Sequence, residues 1–172
     1  MTDIWFISDT HFNHKNILTF KDDKGDLIRP GFKNSRDMDA CIVDRWNSVV
    51  KPGDKVYHLG DVAFGLGEEG YLDYLLSRLH GKKRLTVGNH DDLKSHLLQT
   101  HFQKISLWKI FKEYNFFCSH VPLPLHEFRK VEYQVHGHLH QNLLPEKEYI
   151  SVCVEHTDYT PVHLDEIRAR IK

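Results

Sequence analysis

The amino-acid sequence predicts an α/β protein, and three observations support this fold class. Short apolar runs of strand length alternate with amphipathic segments of helical period in the first half of the chain. The second half is typical of successive strands, and polar clusters directly follow several of the predicted strands. At 172 residues the chain can bury a substantial core, and we expect a single domain over residues 1–172.

The individual elements follow from apolar spacing and from turn residues. The predicted strands cover residues 4–8, 56–59, 84–87, 104–110, 114–118, 133–135 and 149–154. The predicted helices cover residues 35–50, 71–79, a stretch from about 91 to 100, and 164–171. Ser35 is a candidate cap for the first helix, and Pro52-Gly53 stops it. The polar stretch 21–34, with Gly25, Pro30 and Gly31, predicts an excursion loop.

Composition indicates a cytoplasmic protein without a membrane partner. No apolar run reaches the length of a membrane span, and the N-terminus lacks the pattern of a signal peptide. Cys41, Cys118 and Cys153 are odd in number and have no CxxC spacing, which favours a reducing compartment. The net charge of −1 provides no basic field for long nucleic acid.

Metal-binding side chains concentrate where predicted strands end. The clusters are Asp9-Thr10-His11, Gly60-Asp61, Gly88-Asn89-His90-Asp91, Ser119-His120 and Gly137-His138-Leu139-His140. Ligand sites of open α/β sheets collect outside the carboxyl ends of the strands, so we expect these loops to meet at one rim. The glycines within the clusters allow unusual backbone angles and close approach around an ion.

The types of side chain predict a pair of divalent metal ions. Imidazole, carboxylate and amide oxygen without thiolate favour manganese, iron, zinc, nickel or cobalt, rather than a structural zinc site. The candidate ligands are Asp9, His11, Asp61, Asn89, His120, His138 and His140. Seven ligands are too many for one ion and suit two ions that share a bridging carboxylate. Four positive charges less two carboxylates and one hydroxide leave about one positive charge, which attracts phosphate.

The ordered series D-x-H, G-D, G-N-H-D, H and G-H-x-H resembles the calcineurin-like metallophosphoesterases, in particular their small bacterial and phage members. The resemblance runs from Asp9 to His140. It implies a four-layer α/β/β/α sandwich of two mixed sheets flanked by helices. It also implies hydrolysis of a phosphodiester or phosphomonoester by attack of a metal-bound hydroxide, with manganese as the favoured metal.

The same resemblance assigns a role to each matched residue. It implies one ion on Asp9, His11 and His140, and the other on Asn89, His120 and His138. Asp61 would bridge the two ions. His90 would protonate the departing oxygen or stabilise charge on the phosphate, and Asp91 would orient the His90 ring.

Several alternatives stay open at this point. The substrate could be a cyclic nucleotide, a short nucleic-acid end, or a monoester of the kind that protein phosphatases cleave. A non-catalytic protein-interaction scaffold on the same fold is a further hypothesis. Loop arginines Arg29 and Arg129 could reach a substrate phosphate, although loop arginines usually do not.

A dinucleotide-binding site is a weaker interpretation of one segment. Residues 65–70 match G-x-G-x-x-G before a helix, and Asp91 follows about 20 residues later. However, Glu68 and Glu69 would place two carboxylates where a pyrophosphate binds. We interpret this segment as a loop.

Overall fold

The computed structural model describes residues 2–64, 68–128 and 130–171, which include nine strands and four α-helices. The strands are β1 (Ile4–Ile7), β2 (Lys55–His58), β3 (Lys82–Thr86), β4 (Lys104–Ser106), β5 (Trp108–Phe111), β6 (Phe116–Ser119), β7 (Tyr133–His136), β8 (Tyr149–Ser151) and β9 (Val162–His163). The helices are α1 (Ser35–Val49), α2 (Glu69–Arg78), α3 (His96–His101) and α4 (Leu164–Arg170).

The strands form two mixed sheets. The first sheet has the order β4-β3-β2-β1-β9, in which β1 to β4 are parallel and β9 is antiparallel to β1. The second has the order β5-β6-β7-β8, in which β6, β7 and β8 are parallel and β5 is antiparallel to β6. The predicted sandwich of two mixed sheets flanked by helices is confirmed.

Alternation along β1 divides the core into two parts. Ile7 faces the helices and packs in a cluster with Met38, Trp46 and Leu72, all of them buried. The neighbouring Phe6 points the other way and packs between the sheets. Its ring lies edge-on to Phe111 and Phe116 and stacks with Tyr57.

Three local predictions were wrong. Residues 104–110 form two strands in different sheets, because the chain passes from one sheet to the other at the exposed Leu107. Only His96–His101 of the helix predicted from residue 91 is helical. Helix α1 is capped by Asn34 rather than by Ser35: the Asn34 side chain accepts a hydrogen bond from the Asp37 N–H at 3.0 Å.

Two further sequence-based expectations can be compared with the structure. All three cysteines are free thiols. Within the described ranges, none of the helices combines the length and the apolar character needed to cross a bilayer. Residues 65–67 of the G-x-G-x-x-G segment lie outside the described residues.

One buried carboxyl group in helix α1 connects this helix to the loop after β1. Both Asp39 oxygens accept the Asn13 N–H at 3.1 Å, and one also accepts the Tyr71 hydroxyl at 2.9 Å. Burial raises the pKa of Asp39 from 3.8 to about 6, and these hydrogen bonds oppose part of that shift. The ionised form of Asp39 therefore stabilises the folded protein less than the protonated form does.

We expect this group to give stability a pH dependence that Asp39→Asn removes. Between pH 4 and pH 6 the folded protein holds a proton on Asp39 that the unfolded chain has lost, so stability falls as the pH rises through this window. As the pH rises through this window, the unfolding free energy of the wild type should fall relative to that of the variant by up to about 3 kcal/mol. Urea denaturation of both proteins in chelator at pH 4.5 and pH 7 measures this change. Equal pH dependence of the unfolding free energy in wild type and variant would contradict the prediction.

Candidate metal centre

The two sheets bring the predicted ligand loops to a common edge. Strands β1, β2 and β3 are parallel neighbours, so the loops that follow them lie side by side. The loops after β6 and β7 are likewise adjacent. A bridge between Ser8 and Cys153 joins the sheets at this edge, and the Ser8 N–H donates to the Val152 carbonyl at 3.0 Å.

All seven predicted ligands come together there. The structure forms two groups of Asp and His side chains that could hold metal ions, and in each group one donor atom per residue lies within 4.8 Å of the others. The groups are Asp9, His11 and His140, and Asp61, His120 and His138. Asn89 joins the second group, with its Oδ1 at 2.9 Å from His120 Nε2 and 3.0 Å from His138 Nδ1.

Asp61 lies between the two groups. Its Oδ2 is 3.5 Å from Nε2 of His11 in the first group and 3.4 Å from Nε2 of His120 in the second. Its Oδ1 accepts the His90 N–H at 2.9 Å, which fixes the carboxylate plane. A single carboxylate therefore reaches a ligand of each group.

Unsatisfied buried atoms show that this donor set fits metal ions. His11 is only 2% exposed, yet both of its ring nitrogens lack a hydrogen-bond partner, and so does Asp9 Oδ1. Leaving such an atom buried and unpaired costs about 1–3 kcal/mol. A cation between Asp9, His11 and His140 would satisfy Asp9 Oδ1 and one of the two His11 ring nitrogens.

Hydrogen bonds behind the rings leave the opposite nitrogens available. His120 Nδ1 lies 2.7 Å from the Leu59 carbonyl, and His140 Nδ1 lies 2.9 Å from Glu155 Oε1. A carbonyl can only accept, so Nδ1 of His120 carries a proton, and Nε2 is the nitrogen that faces the group. This is the arrangement that metal-ligating histidines adopt.

The ligand loops have strained backbones. Asp9, His11, Asp61, His138 and His140 all have φ between 47° and 72°, the left-handed region that non-glycine residues seldom occupy. Each such residue costs on the order of 1–3 kcal/mol and persists only where its surroundings hold it. Five of seven predicted ligands share this feature, which typically clusters at functional sites.

Glycines make the close approach between loops possible. A Cβ on Gly88 would collide with the Asp61 carboxylate, and a Cβ on Gly137 would lie 2.5 Å from Asp9 Oδ2. The sequence-based expectation that these glycines permit close packing around the site is confirmed.

Asp91 connects two of the ligand loops. Its Oδ2 accepts the N–H groups of Gly88 and Asp61 at 2.8 and 3.0 Å, and its Oδ1 accepts that of Val62 at 3.0 Å. Both oxygens thus tie the loop after β2 to the loop after β3. That Asp91 also orients the His90 ring stays a prediction.

His90 stands at the exposed side of the centre. Its ring centroid lies 5.6 Å from that of His11, and its N–H is fixed by Asp61. The side chain is therefore placed to meet a molecule bound over the two groups.

An arginine–glutamate pair, which sequence reasoning did not identify, lies beneath the first group. Arg29 Nη2 is 2.7 Å from Glu155 Oε1, and the two side chains are 0% and 3% exposed. The guanidinium also donates to the carbonyls of Asp9 and Thr10 at 2.5 and 3.1 Å. Arg29 therefore braces the loop after β1 and is turned away from any substrate phosphate. Arg129, the other arginine considered, lies outside the described residues.

The electrostatics of the centre keep Asp61 and Glu155 ionised. Burial opposes ionisation of Glu155, but the His140 hydrogen bond and the Arg29 charge outweigh it and lower the pKa of Glu155 to about 2. Hydrogen bonding to His120 likewise lowers the pKa of Asp61 against the effect of burial. Burial, followed by the Arg29 charge, lowers the pKa of His11 to about 2, so this ring is neutral. Anionic oxygens and neutral imidazole are the forms that bind cations.

Fold and site together define an α/β sandwich protein with a candidate dinuclear Asp/His centre. The chain is 33% identical to the uncharacterized protein MJ1445 of Methanocaldococcus jannaschii over 96% of this chain and 89% of that protein, and it belongs to the same family. It is also 31% identical to the gene 66 protein of Mycobacterium phage L5 over 65% of this chain and 51% of the phage protein. No family model matches the sequence.

One solved structure has the same fold over nearly the whole chain. A protein of unknown function from Aquifex aeolicus, AQ665, superposes with a TM-score of 0.79 at 28% identity, covering 99% of this chain and 100% of that chain. A predicted phosphoesterase from Streptococcus pneumoniae aligns over 88% of this chain and 71% of its own at a TM-score of 0.39 and 13% identity, which is too distant to indicate function.

We expect Glu155→Gln to weaken the first group selectively. The amide removes the charge that holds the His140 ring and leaves Arg29 buried without its partner carboxylate, so metal affinity at this group should fall about 10–100-fold. Metal content after dialysis against limiting Mn²⁺ should drop from about two ions per chain to about one.

Asp158→Asn is the matched control, since Asp158 forms an exposed ion pair with Arg45 away from the centre. It should keep the metal content of the wild type. Equal metal content in Glu155→Gln and wild type would show that the pair beneath His140 does not support metal binding.

Proposed function

We propose that this protein is a metal-dependent phosphoesterase that uses two divalent ions to hydrolyse phosphodiester bonds in small substrates. The observation that carries the proposal is the position of Asp61, whose Oδ2 lies 3.5 and 3.4 Å from a histidine of each ligand group. One carboxylate shared by two Asp/His groups is the donor arrangement of a two-metal site.

The chain would hold one ion with Asp9, His11 and His140, and the other with Asn89, His120 and His138, while Asp61 contacts both. Imidazole, carboxylate and amide donors without thiolate support manganese, with iron, zinc, nickel or cobalt as alternatives. When bound, two such ions offset the charge of a phosphate and lower the pKa of water.

The protein itself contributes rigidity. The Asp91 contacts to two loops hold the donor atoms in place before a substrate arrives. The surroundings also hold the ligands in their strained backbone conformation. Preorganised groups of this kind need not reorganise during the reaction, which lowers the barrier to phosphoryl transfer.

His90 supports a preference for diesters. It is exposed, lies beside His11, and is anchored through its own N–H. From this position the imidazole can donate a proton to the departing oxygen, which an alkoxide leaving group needs in order to leave. A small substrate agrees with the net charge of −1, which does not attract long nucleic acid.

A non-catalytic scaffold is the alternative hypothesis. A scaffold has no need to retain metal ligands, yet all seven candidate positions are filled and brought together, and five of them carry strained backbone. Retaining unpaired buried atoms without an ion would only destabilise the fold. These features favour the enzyme.

Hydrolysis of bis(p-nitrophenyl) phosphate tests the metal dependence. We expect turnover with Mn²⁺, loss of turnover in chelator, and a decrease of at least about 100-fold in kcat for Asp61→Asn, because the amide cannot offer an anionic oxygen to both groups. The exposed Asp158→Asn should behave like the wild type. Turnover that survives chelator would overturn the metal mechanism, and no turnover with any divalent ion would favour the scaffold.

The role of His90 can be separated by the choice of leaving group. A p-nitrophenolate leaves without protonation, whereas an alkoxide needs a proton. His90→Asn should therefore lower kcat by about 100-fold or more on a dinucleotide or cyclic nucleotide, and by less than about tenfold on bis(p-nitrophenyl) phosphate.

Kinetics on both substrates with Mn²⁺-loaded protein measure this contrast. Equal losses on the two substrates would mean that His90 binds the phosphate rather than protonates the leaving oxygen.

A further inference from the structure

Four rings form a closed circuit at the edge of the candidate metal centre. The centroid distances are 5.2 Å for His11–His14, 4.1 Å for His14–Phe64, 5.4 Å for Phe64–His90 and 5.6 Å for His90–His11. Phe64 thus contacts the candidate proton donor His90 directly and is separated from the candidate metal ligand His11 by one ring.

Phe64 is an apolar side chain that is 40% exposed at a polar site. One face of its ring is covered, since it stacks on His14 with an interplanar angle of 17°. The exposed area therefore belongs to the rest of the ring. Phe20, which is 46% exposed, stands edge-on to the same His14 ring at 5.7 Å.

The exposed ring is held in place without a ligand. The Phe64 N–H donates to the Phe12 carbonyl at 2.9 Å, and Ala63 forms a parallel bridge with Phe12. The His14 stack further restricts the side chain. Binding to a ring that is already ordered loses little conformational entropy, so such a ring is suited to recognition.

His90 connects this ring to the reaction. If His90 protonates the departing oxygen, the group attached to that oxygen must leave the centre beside His90. Phe64 is the exposed apolar side chain that contacts His90 there, edge-on at 70°. Phe64 therefore lies where the departing substituent of the phosphate would pass.

We propose that Phe64, stacked on His14, is a specificity-determining residue that stacks with the base of a nucleotide substrate. This inference rests on the proposed function and assigns its substrate class. Aromatic rings prefer flat π-systems as stacking partners, and base–aromatic stacking tolerates every base because each has a π-face. A single such ring, without a basic track along the chain, suits a mononucleotide or a dinucleotide rather than a long strand.

Calorimetric binding of AMP and ribose 5-phosphate to Mn²⁺-loaded protein tests the proposal. The two probes share sugar and phosphate and differ in the base. We expect wild type to bind AMP roughly tenfold more tightly, a ratio that corresponds to about 1.4 kcal/mol. Phe64→Leu should remove most of this ratio by weakening AMP alone, and Phe64→Trp should retain it.

Tyr74→Leu is the matched control. Tyr74 is a 56% exposed aromatic residue on α2 that lies beneath the Arg78 guanidinium, outside the ring circuit. This variant should keep the wild-type ratio, and thermal melting should show that Phe64→Leu is folded, as expected for an exposed position.

The outcomes separate the two proposals. Equal affinity of wild type for both probes, or a Phe64→Leu variant that retains the ratio, would overturn the stacking role and leave the phosphoesterase intact. Binding of neither probe by metal-loaded protein that still hydrolyses bis(p-nitrophenyl) phosphate would overturn this inference alone. Binding of neither probe together with absence of turnover would overturn the proposed function as well.

Discussion

The arrangement of the ligand loops depends on one constraint, which is that the buried Asp61 carboxylate must have partners for its charge. Asp61 is 2% exposed, and its charge is stabilised by the His120 imidazole and by the His90 N–H. Buried charges persist in proteins when they are paired or coordinate a metal. Because Asp61 follows β2, the central strand of the first sheet, every neighbouring loop must orient its polar groups toward this position. The strained backbone, the glycines and the orphaned His11 nitrogens follow from that requirement.

The buried Arg29–Glu155 ion pair positions the group of Asp9, His11 and His140. Arg29 and Glu155 are both buried, and a buried ion pair adds little stability by itself. Here the pair has additional partners: the guanidinium holds the Asp9 carbonyl, and the carboxylate holds the His140 ring. These contacts connect the excursion loop to His140 in the loop after β7, so the pair positions a candidate ligand although it adds little stability.

Much of the centre could be predicted from the sequence because its signals are local. Asp9, Asp61 and Asn89 each follow a strand whose apolar run is visible, and parallel neighbours place such loops together. Glu155 had no such signal, since its contact with Arg29 spans 126 positions and depends on the meeting of the two sheets. The backbone contacts of Asp91 could not be predicted either, because spacing does not reveal whether a carboxylate turns to a side chain or to the backbone. The strand predicted over residues 104–110 was wrong for a related reason: apolar pattern continues across Leu107 although the chain changes sheets there.

The excursion loop connects the stability of the centre to its selectivity. Composition marks residues 21–34 only as polar and irregular, yet the loop is closed by a Lys21–Leu27 bridge and by the Ile28 N–H, which donates to the Phe20 carbonyl at 2.9 Å. This closure fixes Phe20 against His14 at its start and delivers Arg29 beneath Asp9 at its end. One ordered segment thus contributes both to the Phe20–His14 contact and to the Arg29–Glu155 pair. A change that loosens this segment should therefore affect ring stacking and the geometry of the ligand groups together.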